Sequence, residues 1–359
     1  MDEIPFSRAE ITKDDKDAVM RVLDSRIVAM GKATEELEAA FCKFYSKRCA
    51  VALSSGTAGL HLALTCSGID AAKRPLAVPT YTFIATMHAA VAAYGVDNAR
   101  LVDQVSTEDA DIPCHLFGEP SVHAVKEHSI VDACESIGDL TLPLGRAAVF
   151  SFWANKQIVT GEGGMLVTDD ASLAGDVRAL ANHGRYAGAP IAGLATCPGY
   201  NYRMDEMSAA LGLSQFKRLP EILARRRLVA YWYNERLAEL SYSDGSPFIG
   251  WPAPRESWFV YNIQVPRSAR DYICRALADK GIQCRKYFEF PVHKHPAYRQ
   301  SGFPVADWLA ARCIALPFFN EMTEQQVTRV TQALGELLHT VAPEKPYEKQ
   351  DLVDKYHKG

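Results

Sequence analysis

The sequence lacks the cysteine spacing of disulfide-rich or zinc-binding proteins. Its nine cysteines stand singly at positions 42, 49, 66, 114, 134, 197, 274, 284 and 313, and no two form a C-x-x-C pair. An odd number of scattered cysteines favours reduced thiols over disulfides or zinc ligands. We therefore predict free thiols and no metal site.

Long apolar runs and an excess of charge of one sign are also absent. No stretch reaches the roughly 18 apolar residues that span a bilayer, and the N-terminal MDEIPFSRAEITKDD is acidic without an apolar centre. The net charge is −4, without the basic excess of nucleic-acid-binding proteins. These absences predict a cytoplasmic protein without a membrane or nucleic-acid partner.

What the chain does contain is an alternation of short apolar runs with helical patterns. Strands are predicted at 49–53, 76–79, 100–103, 112–117, 129–132, 149–153 and 165–167, with intervening helices at 58–66 and 83–93. Strands that alternate with helices indicate an α/β fold: a mainly parallel sheet with helices on both faces.

Helical patterns precede and follow this region. The predicted helices are 12–23, 34–45, 172–182, 205–216, a long run from Pro220, 270–280 and 323–338, with a further strand at 258–265. We predict a large domain over 1–220, a small α+β domain over 221–342 and a polar tail over 343–359.

One lysine stands at the hinge between two apolar runs, in SFWANKQIVTGEGGMLVTD. Lysines in partly buried, electropositive surroundings form Schiff bases with carbonyl compounds. Lys156 is therefore a candidate covalent anchor.

Two further segments offer what pyridoxal phosphate (PLP) requires. A small-residue turn before a helix, at Gly56, Thr57 and Ala58, presents backbone N–H groups to a phosphate. Asp132, at the end of a predicted strand, can keep a pyridine nitrogen protonated so that the ring withdraws electrons. With Lys156 for the aldehyde, these residues predict a PLP site.

Five ordered strings resemble the motifs of fold-type I, PLP-dependent nucleotide-sugar aminotransferases of the DegT type. They are SSGTAGLHLAL, PTYTFIAT, VDACESIG, FSFWANKQIVTGEGGM and GYNYRMDEMSAALGLSQ, and the resemblance extends over residues 4–338. Within that family the chain looks most like the perosamine-synthase-like 4-aminotransferases. The resemblance implies a large domain with a sheet of the seven-stranded type and a small C-terminal domain.

The resemblance also implies roles for individual residues. Lys156 would form the Schiff base and move protons, and Asp132 would pair with the pyridine nitrogen. Phe83 would stack on the ring, and Glu135 would lie near the ring hydroxyl or the substrate. The phosphate would be held by Thr57, Ala58 and Ser151.

Three further residues are implied at the edge of the site. Asn201 would come from a neighbouring subunit, which implies a homodimer with shared active sites. Arg203 would lie near the same edge, and His293 would approach the sugar.

Structural explanations stay open for most of these residues. Ser55 and Thr57 could cap a helix, Asp132 could be a turn residue, and Phe83 could belong to the core. Asn201 and Arg203 could be turn and surface residues, and His293 could be a surface histidine.

The chain departs from the family pattern at two places. Only QVSTEDADIPC separates Asp103 from His115, where the family usually has a longer connection with a helix of its own. Ser208 stands where a glutamine is common. We expect the cofactor site to be retained and the dimer contacts or substrate entrance to differ.

The resemblance implies transamination in two halves, with PLP converted to pyridoxamine phosphate (PMP) and back. The donor would be glutamate, and the acceptor a nucleotide-linked keto sugar such as a 4-keto-6-deoxyhexose. Alternatives are a sugar dehydratase of the same family, a non-catalytic regulator, or an enzyme acting on a modified nucleoside or cyclitol. Lys156 argues against the dehydratase, in which a histidine typically replaces the lysine.

Overall fold

The structure is a computed structural model that describes residues 2–104, 110–187, 193–245, 248 and 256–344. Its helices are α1 Lys13–Ser25, α2 Lys32–Tyr45, α3 Gly56–Thr65, α4 Ile84–Tyr94, α5 Ala171–Ala181, α6 Glu206–Lys217, α7 Leu219–Leu237, α8 Arg270–Asp279, α9 Pro304–Ala310 and α10 Glu324–Leu338. Its strands are β1 Cys49–Leu53, β2 Leu76–Pro79, β3 Ala99–Val102, β4 Ile130–Asp132, β5 Ala147–Ser151, β6 Gly164–Thr168, β7 Tyr261–Gln264 and β8 Cys313–Leu316.

The central sheet is mainly parallel. Four strands lie in the order β1-β6-β5-β4, and β6 runs antiparallel to both of its neighbours while β4 and β5 are parallel. The parallel pair β2 and β3 is joined to β4 by residues 111–115: Asp111 N–H donates to the Ala77 carbonyl, and Asp132 N–H to the Pro113 carbonyl. Seven extended segments thus follow one another across the sheet, which confirms the predicted α/β class.

Side chains of alternate strand residues enter two different cores. Val51 and Leu53 of β1 pack with α3, α4 and α5, whereas Ala50 and Ala52 face α2 and α6, where Phe41 is fully buried. Because successive side chains of a strand point to opposite faces, helices cover both sides of the sheet. The polar groups that follow the strands are left at the sheet edge.

A third core lies in the C-terminal part of the chain. It contains α7, α8, α10 and the antiparallel pair β7 and β8, together with Ile4 from the N-terminus. The strand predicted over 258–265 is shorter, because only Tyr261–Gln264 pair with β8. Residues 259–260 and 292–315 also contribute to the core around α3 and β1. The boundary at residue 220 stays a prediction.

Two predictions from composition can be compared with the structure. All nine cysteines are free. In the described ranges no helix combines the length and apolarity needed to cross a bilayer. The predicted tail lies outside the described residues beyond position 344, as do residues 105–109 of the short connection after Asp103.

Candidate active site

A cavity of about 650 Å³ opens where β1, β4 and β5 end and α3 and α4 begin. Seven predicted residues line it: Gly56, Thr57, Phe83, Asp132, Glu135, Ser151 and Lys156. They come from six places in the fold: the start of α3, the N-cap of α4, the end of β4, the connection after β4, the end of β5, and the connection between β5 and β6. The fold therefore brings most of the predicted cofactor residues to one place.

The anion-binding end of the cavity is the N-terminus of α3. The helix begins at Gly56, two residues before the predicted start, because Ser55 is its N-cap and accepts a hydrogen bond from Ala58 N–H at 3.0 Å. Ala58 lies outside the cavity lining and its N–H group donates to this cap, so its predicted contact with the phosphate stays a prediction. The N–H groups of Gly56 and Thr57 belong to the first turn, where N–H groups lack partners within the helix, and the positive end of the helix dipole there favours an anion.

Close packing around Gly56 explains why a glycine stands there. A Cβ atom on Gly56 would lie 2.7 Å from the Cys134 Sγ and 3.1 Å from the Ser151 Cβ. A Cβ on Gly164 of β6 would lie 2.6 Å from the Gly56 nitrogen. The two glycines let the start of α3 sit directly against the hairpin that carries Lys156, and Ser151 lies beside it.

Asp132 ends β4 with its carboxylate held by two donors. Thr86 Oγ1 donates to Oδ2 at 2.7 Å, and Cys134 N–H donates to Oδ1 at 3.1 Å. These bonds fix the orientation of a buried carboxylate at the cavity. The structure thus argues against a mere turn residue, and it adds Thr86, which no sequence pattern had singled out.

Lys156 lies on the connection between β5 and β6, with only 11% of its side chain exposed. Its Nζ is 3.6 Å from Glu135 Oε1 and 4.1 Å from the centroid of the Phe259 ring. Burial raises the pKa of the Glu135 carboxyl, against the opposing effects of Lys156 and of the Phe117 N–H group, which donates to Oε2 at 2.9 Å. Amine and carboxylate thus form a close, shielded pair.

Phe83 is the N-cap of α4 and is 58% exposed, so it is not a core residue. Its ring centroid lies 6.4 Å from that of Phe288, which also lines the cavity. An exposed ring at the cavity has a face available for stacking.

A pair of polar residues beside the lysine was missed from the sequence. Asn155 Nδ2 donates to the Tyr287 hydroxyl at 3.1 Å, and the buried Asn155 Oδ1 has no hydrogen-bond partner within the described residues. Burial raises the pKa of the Tyr287 phenol, so the hydroxyl remains a neutral donor near pH 7. The two residues are 132 positions apart, and no local pattern signals such a contact.

Besides Ala58, three predicted residues lie outside the lining of this cavity. Asn201 is exposed, and Arg203 Nη1 donates to Asn182 Oδ1 at 2.8 Å. His293 is buried, with Nδ1 2.7 Å from Thr80 Oγ1 and Nε2 3.0 Å from Asp307 Oδ1. Both histidine nitrogens are therefore occupied. Since His293 is buried, the alternative of a surface histidine is wrong, while its predicted approach to the sugar stays a prediction.

Ser208 has a local role in place of the glutamine common in the family. It is at the start of α6, where its Oγ donates to Asp205 Oδ2 at 2.7 Å and its N–H to Asp205 Oδ1. The serine thus completes a helix cap.

A sequence profile of the DegT/DnrJ/EryC1/StrS aminotransferase family matches residues 9–103 and 112–335. The chain belongs to this family. It is a PLP-dependent sugar aminotransferase with the fold-type I architecture. The unmatched residues 104–111 fall in the connection that is short in this chain.

Solved structures of similar fold cover almost the whole chain. DesV of S. venezuelae, solved in complex with a ketimine intermediate, is 26% identical with a TM-score of 0.79, over 95% of this chain and 100% of DesV. PseC of Helicobacter pylori, an aminotransferase involved in pseudoaminic acid biosynthesis, is 21% identical with a TM-score of 0.82, over 94% and 100%. NtdA of Bacillus subtilis, solved with bound PMP, is 23% identical with a TM-score of 0.79, over 94% and 86%.

Proposed function

We propose that this enzyme transfers the amino group of glutamate to a nucleotide-linked keto sugar, a 4-keto-6-deoxyhexose, to make a 4-amino sugar. One observation carries the proposal. An amine at Lys156, a fixed carboxylate at Asp132 and the N–H groups that begin α3 surround a single cavity. These groups match the aldehyde, the pyridine nitrogen and the phosphate of PLP, each of which needs a different partner.

The residues of the cavity fit this cofactor in detail. Gly56, Thr57 and Ser151 would hold the phosphate. Only a glycine fits at position 56, because a side chain there would collide with Cys134. Phe83 would face the ring and Asp132 its nitrogen. When bound there, PLP supplies an electron sink for the carbon that gains or loses the amino group.

Lys156 is the group placed to move the proton between the reacting carbons. Its Nζ lies within a few ångströms of Glu135, whose carboxylate balances the charge of the amine. Asn155 and Tyr287 add one acceptor and one neutral donor beside it. Such a pair is suited to orient hydroxyl and carbonyl oxygens of a sugar.

The mouth of the cavity supports a large acceptor. Trp153 and Phe290 line it with 49% and 59% of their surfaces exposed. Exposed aromatic rings at an entrance offer stacking surfaces for a planar group such as a nucleobase. We further propose a cytoplasmic homodimer in which the exposed Asn201 of one subunit completes the site of the other.

The test of this proposal is the visible absorption spectrum of the purified protein with PLP. We expect a Schiff-base band that converts to the PMP spectrum on addition of glutamate, and no such band for Lys156→Ala. Turnover of the PMP form by a nucleotide-linked 4-keto-6-deoxyhexose completes the test. A band that glutamate leaves unchanged would exclude this donor.

The short connection between Asp103 and His115, which includes the unmatched residues 104–111, supports a second class of acceptor: a modified nucleoside or a keto cyclitol. A modified nucleoside or a keto cyclitol would need different entrance contacts from a nucleotide sugar. Both classes belong in the acceptor screen, and conversion of PMP to PLP by one class alone decides between them.

A further inference from the structure

The amine of Lys156 contacts both a carboxylate and an aromatic ring, and the ring comes from the C-terminal part of the chain. Glu135 Oε1 contacts the amine, and Glu135 Oε2 accepts the N–H of Phe117. The Phe117 carbonyl accepts the N–H of Phe259 at 3.5 Å, and the ring of Phe259 lies 4.1 Å from the amine. The ring is fully buried, so this cation–π contact is shielded from water.

The ring is held in place from behind by a buried arginine of α7. Arg226 donates to the carbonyls of Trp258 and Phe259 at 2.6 and 2.7 Å, and to Asn320 Oδ1 at 2.6 Å. Burial lowers the pKa of Arg226 to about 9, so it still carries its charge near pH 7. The backbone at Phe259 therefore has little freedom to move.

A second set of hydrogen bonds joins the same segments next to the lysine. Gln157, the residue after Lys156, donates through Nε2 to the Glu135 carbonyl at 3.0 Å and to the Ser257 hydroxyl at 2.9 Å. Ser257 in turn donates to the Ile137 carbonyl at 2.7 Å. Three distant segments of the chain thus set the distance between the amine and the ring.

Phe259 is not among the residues that line the cavity, whereas Lys156 is. The amine of Lys156 thus contacts a ring that lies outside the lining of the cavity. We propose that Phe259 is a positioning residue that holds the amine of Lys156 whenever the lysine is not bonded to PLP, in the cofactor-free and PMP forms. The inference rests on the proposed function of Lys156.

This role predicts a difference between two cofactor affinities. Lys156 would give up its free amine to the aldehyde of PLP with release of water, whereas PMP has no aldehyde and would leave the amine free. Loss of the ring raises the free energy of the forms with a free amine. Phe259→Leu should therefore increase the ratio of the PMP to the PLP dissociation constant, by about fivefold given the usual strength of such contacts.

The experiment measures both dissociation constants at pH 7 by absorbance and fluorescence titration of the cofactor-free protein. Phe259→Tyr keeps the aromatic face and should retain the wild-type ratio. Phe41→Leu is the matched control, since it removes an equally buried ring from a different core, where it packs on Phe150 and Phe216. In a Lys156→Ala background, Phe259→Leu should leave the ratio unchanged.

If Phe259→Leu does not fold, 3,4,5-trifluorophenylalanine at position 259 replaces it, because fluorination weakens the ring's attraction for cations at nearly constant shape. A ratio unaltered by removal of the ring overturns the proposal, as does an equal change in the leucine and tyrosine variants. A wild-type protein without a Lys156-dependent PLP band overturns the proposed function itself, and the inference with it. The first two outcomes thus concern Phe259 alone, whereas the last concerns the proposed function.

Discussion

Asp132 presents its carboxylate to the cavity because two donors hold it from behind. Thr86 and the Cys134 N–H group leave no freedom for the side chain to turn away. A carboxylate in this setting can form a charge-assisted hydrogen bond with a protonated ring nitrogen, and such bonds are worth more than neutral ones. The orientation depends on a threonine that is distant in the sequence.

This arrangement predicts a graded series at residues 132 and 86. Asp132→Asn should slow the glutamate half-reaction about 10- to 100-fold, because a bond to a charged group is lost. Thr86→Val should slow it about 2- to 10-fold through loss of one supporting bond. Stopped-flow absorbance of the PLP form measures both.

Thr331→Val is the control for this series. Thr331 is also a buried helical threonine, but its hydroxyl bonds only to backbone carbonyls of α10. An effect of this variant as large as that of Thr86→Val would contradict the specific role of Thr86.

Sequence patterns located the residues that follow strands, and missed those that arrive from elsewhere in the chain. Asp132 and Lys156 could be predicted because each directly follows an apolar run. Tyr287 and Phe259 could not, since their place beside Lys156 depends on how the C-terminal segments pack. The alternative of a surface position for His293 was wrong, because its burial depends on contacts with Thr80 and Asp307, 213 and 14 positions away.

At the scale of elements, the first turn of α3 packs so closely against its neighbours that no side chain fits at Gly56. The helix could be predicted from its apolar pattern, but its first residue could not. The sequence left both Ser55 and Thr57 as possible caps, and the folded turn shows that Ser55 makes the capping bond. The place of β6 in the sheet, antiparallel between β1 and β5, was likewise beyond the sequence pattern. Apolar runs identify buried strands but do not give their direction.

Two glycine substitutions test the packing at α3. Gly56→Ala should lower stability by about 1–3 kcal/mol through overpacking and weaken PLP binding, because Cys134 and Ser151 leave no room. Gly175→Ala in α5 should instead stabilise by about 0.5–1 kcal/mol, since a Cβ there meets nothing within 4 Å. Denaturant unfolding and PLP titration measure the two effects.

The outcome that would contradict this account is equal behaviour of the two alanine variants. Partial recovery of PLP binding in a Gly56→Ala, Cys134→Ala double variant would identify the collision with sulfur as the cause. The recovery should be only partial, because an alanine Cβ at position 56 would still lie 3.1 Å from the Ser151 Cβ.

For the whole molecule, the proposed homodimer places Lys156 and Asn201 of one active site on different subunits. The Lys156→Ala and Asn201→Ala proteins should each lack activity. Mixed, refolded dimers should recover about one quarter of the wild-type sites, because half of the dimers are hybrids and each hybrid has one intact site. Activity after mixing, with sedimentation to establish the dimer, is the measurement.

Mixing that restores nothing would place both residues in the same subunit's site or exclude Asn201 from it. Each variant mixed with itself is the control for refolding. The fold-level prediction was strong because motifs covered nearly the whole chain, whereas the shared site depends on a surface whose partner is a second chain.

The aromatic residues at the cavity mouth contribute less to the stability of the fold than the residues deeper in the cavity. Trp153 and Phe290 are about half exposed, whereas Gly56, Asp132 and Lys156 are held by packing or hydrogen bonds on several sides. Mutations at the mouth should therefore cost little stability, while the chemistry beneath stays intact. A library confined to these two positions is a direct route to altered acceptor preference, and natural divergence of substrate range could follow the same path.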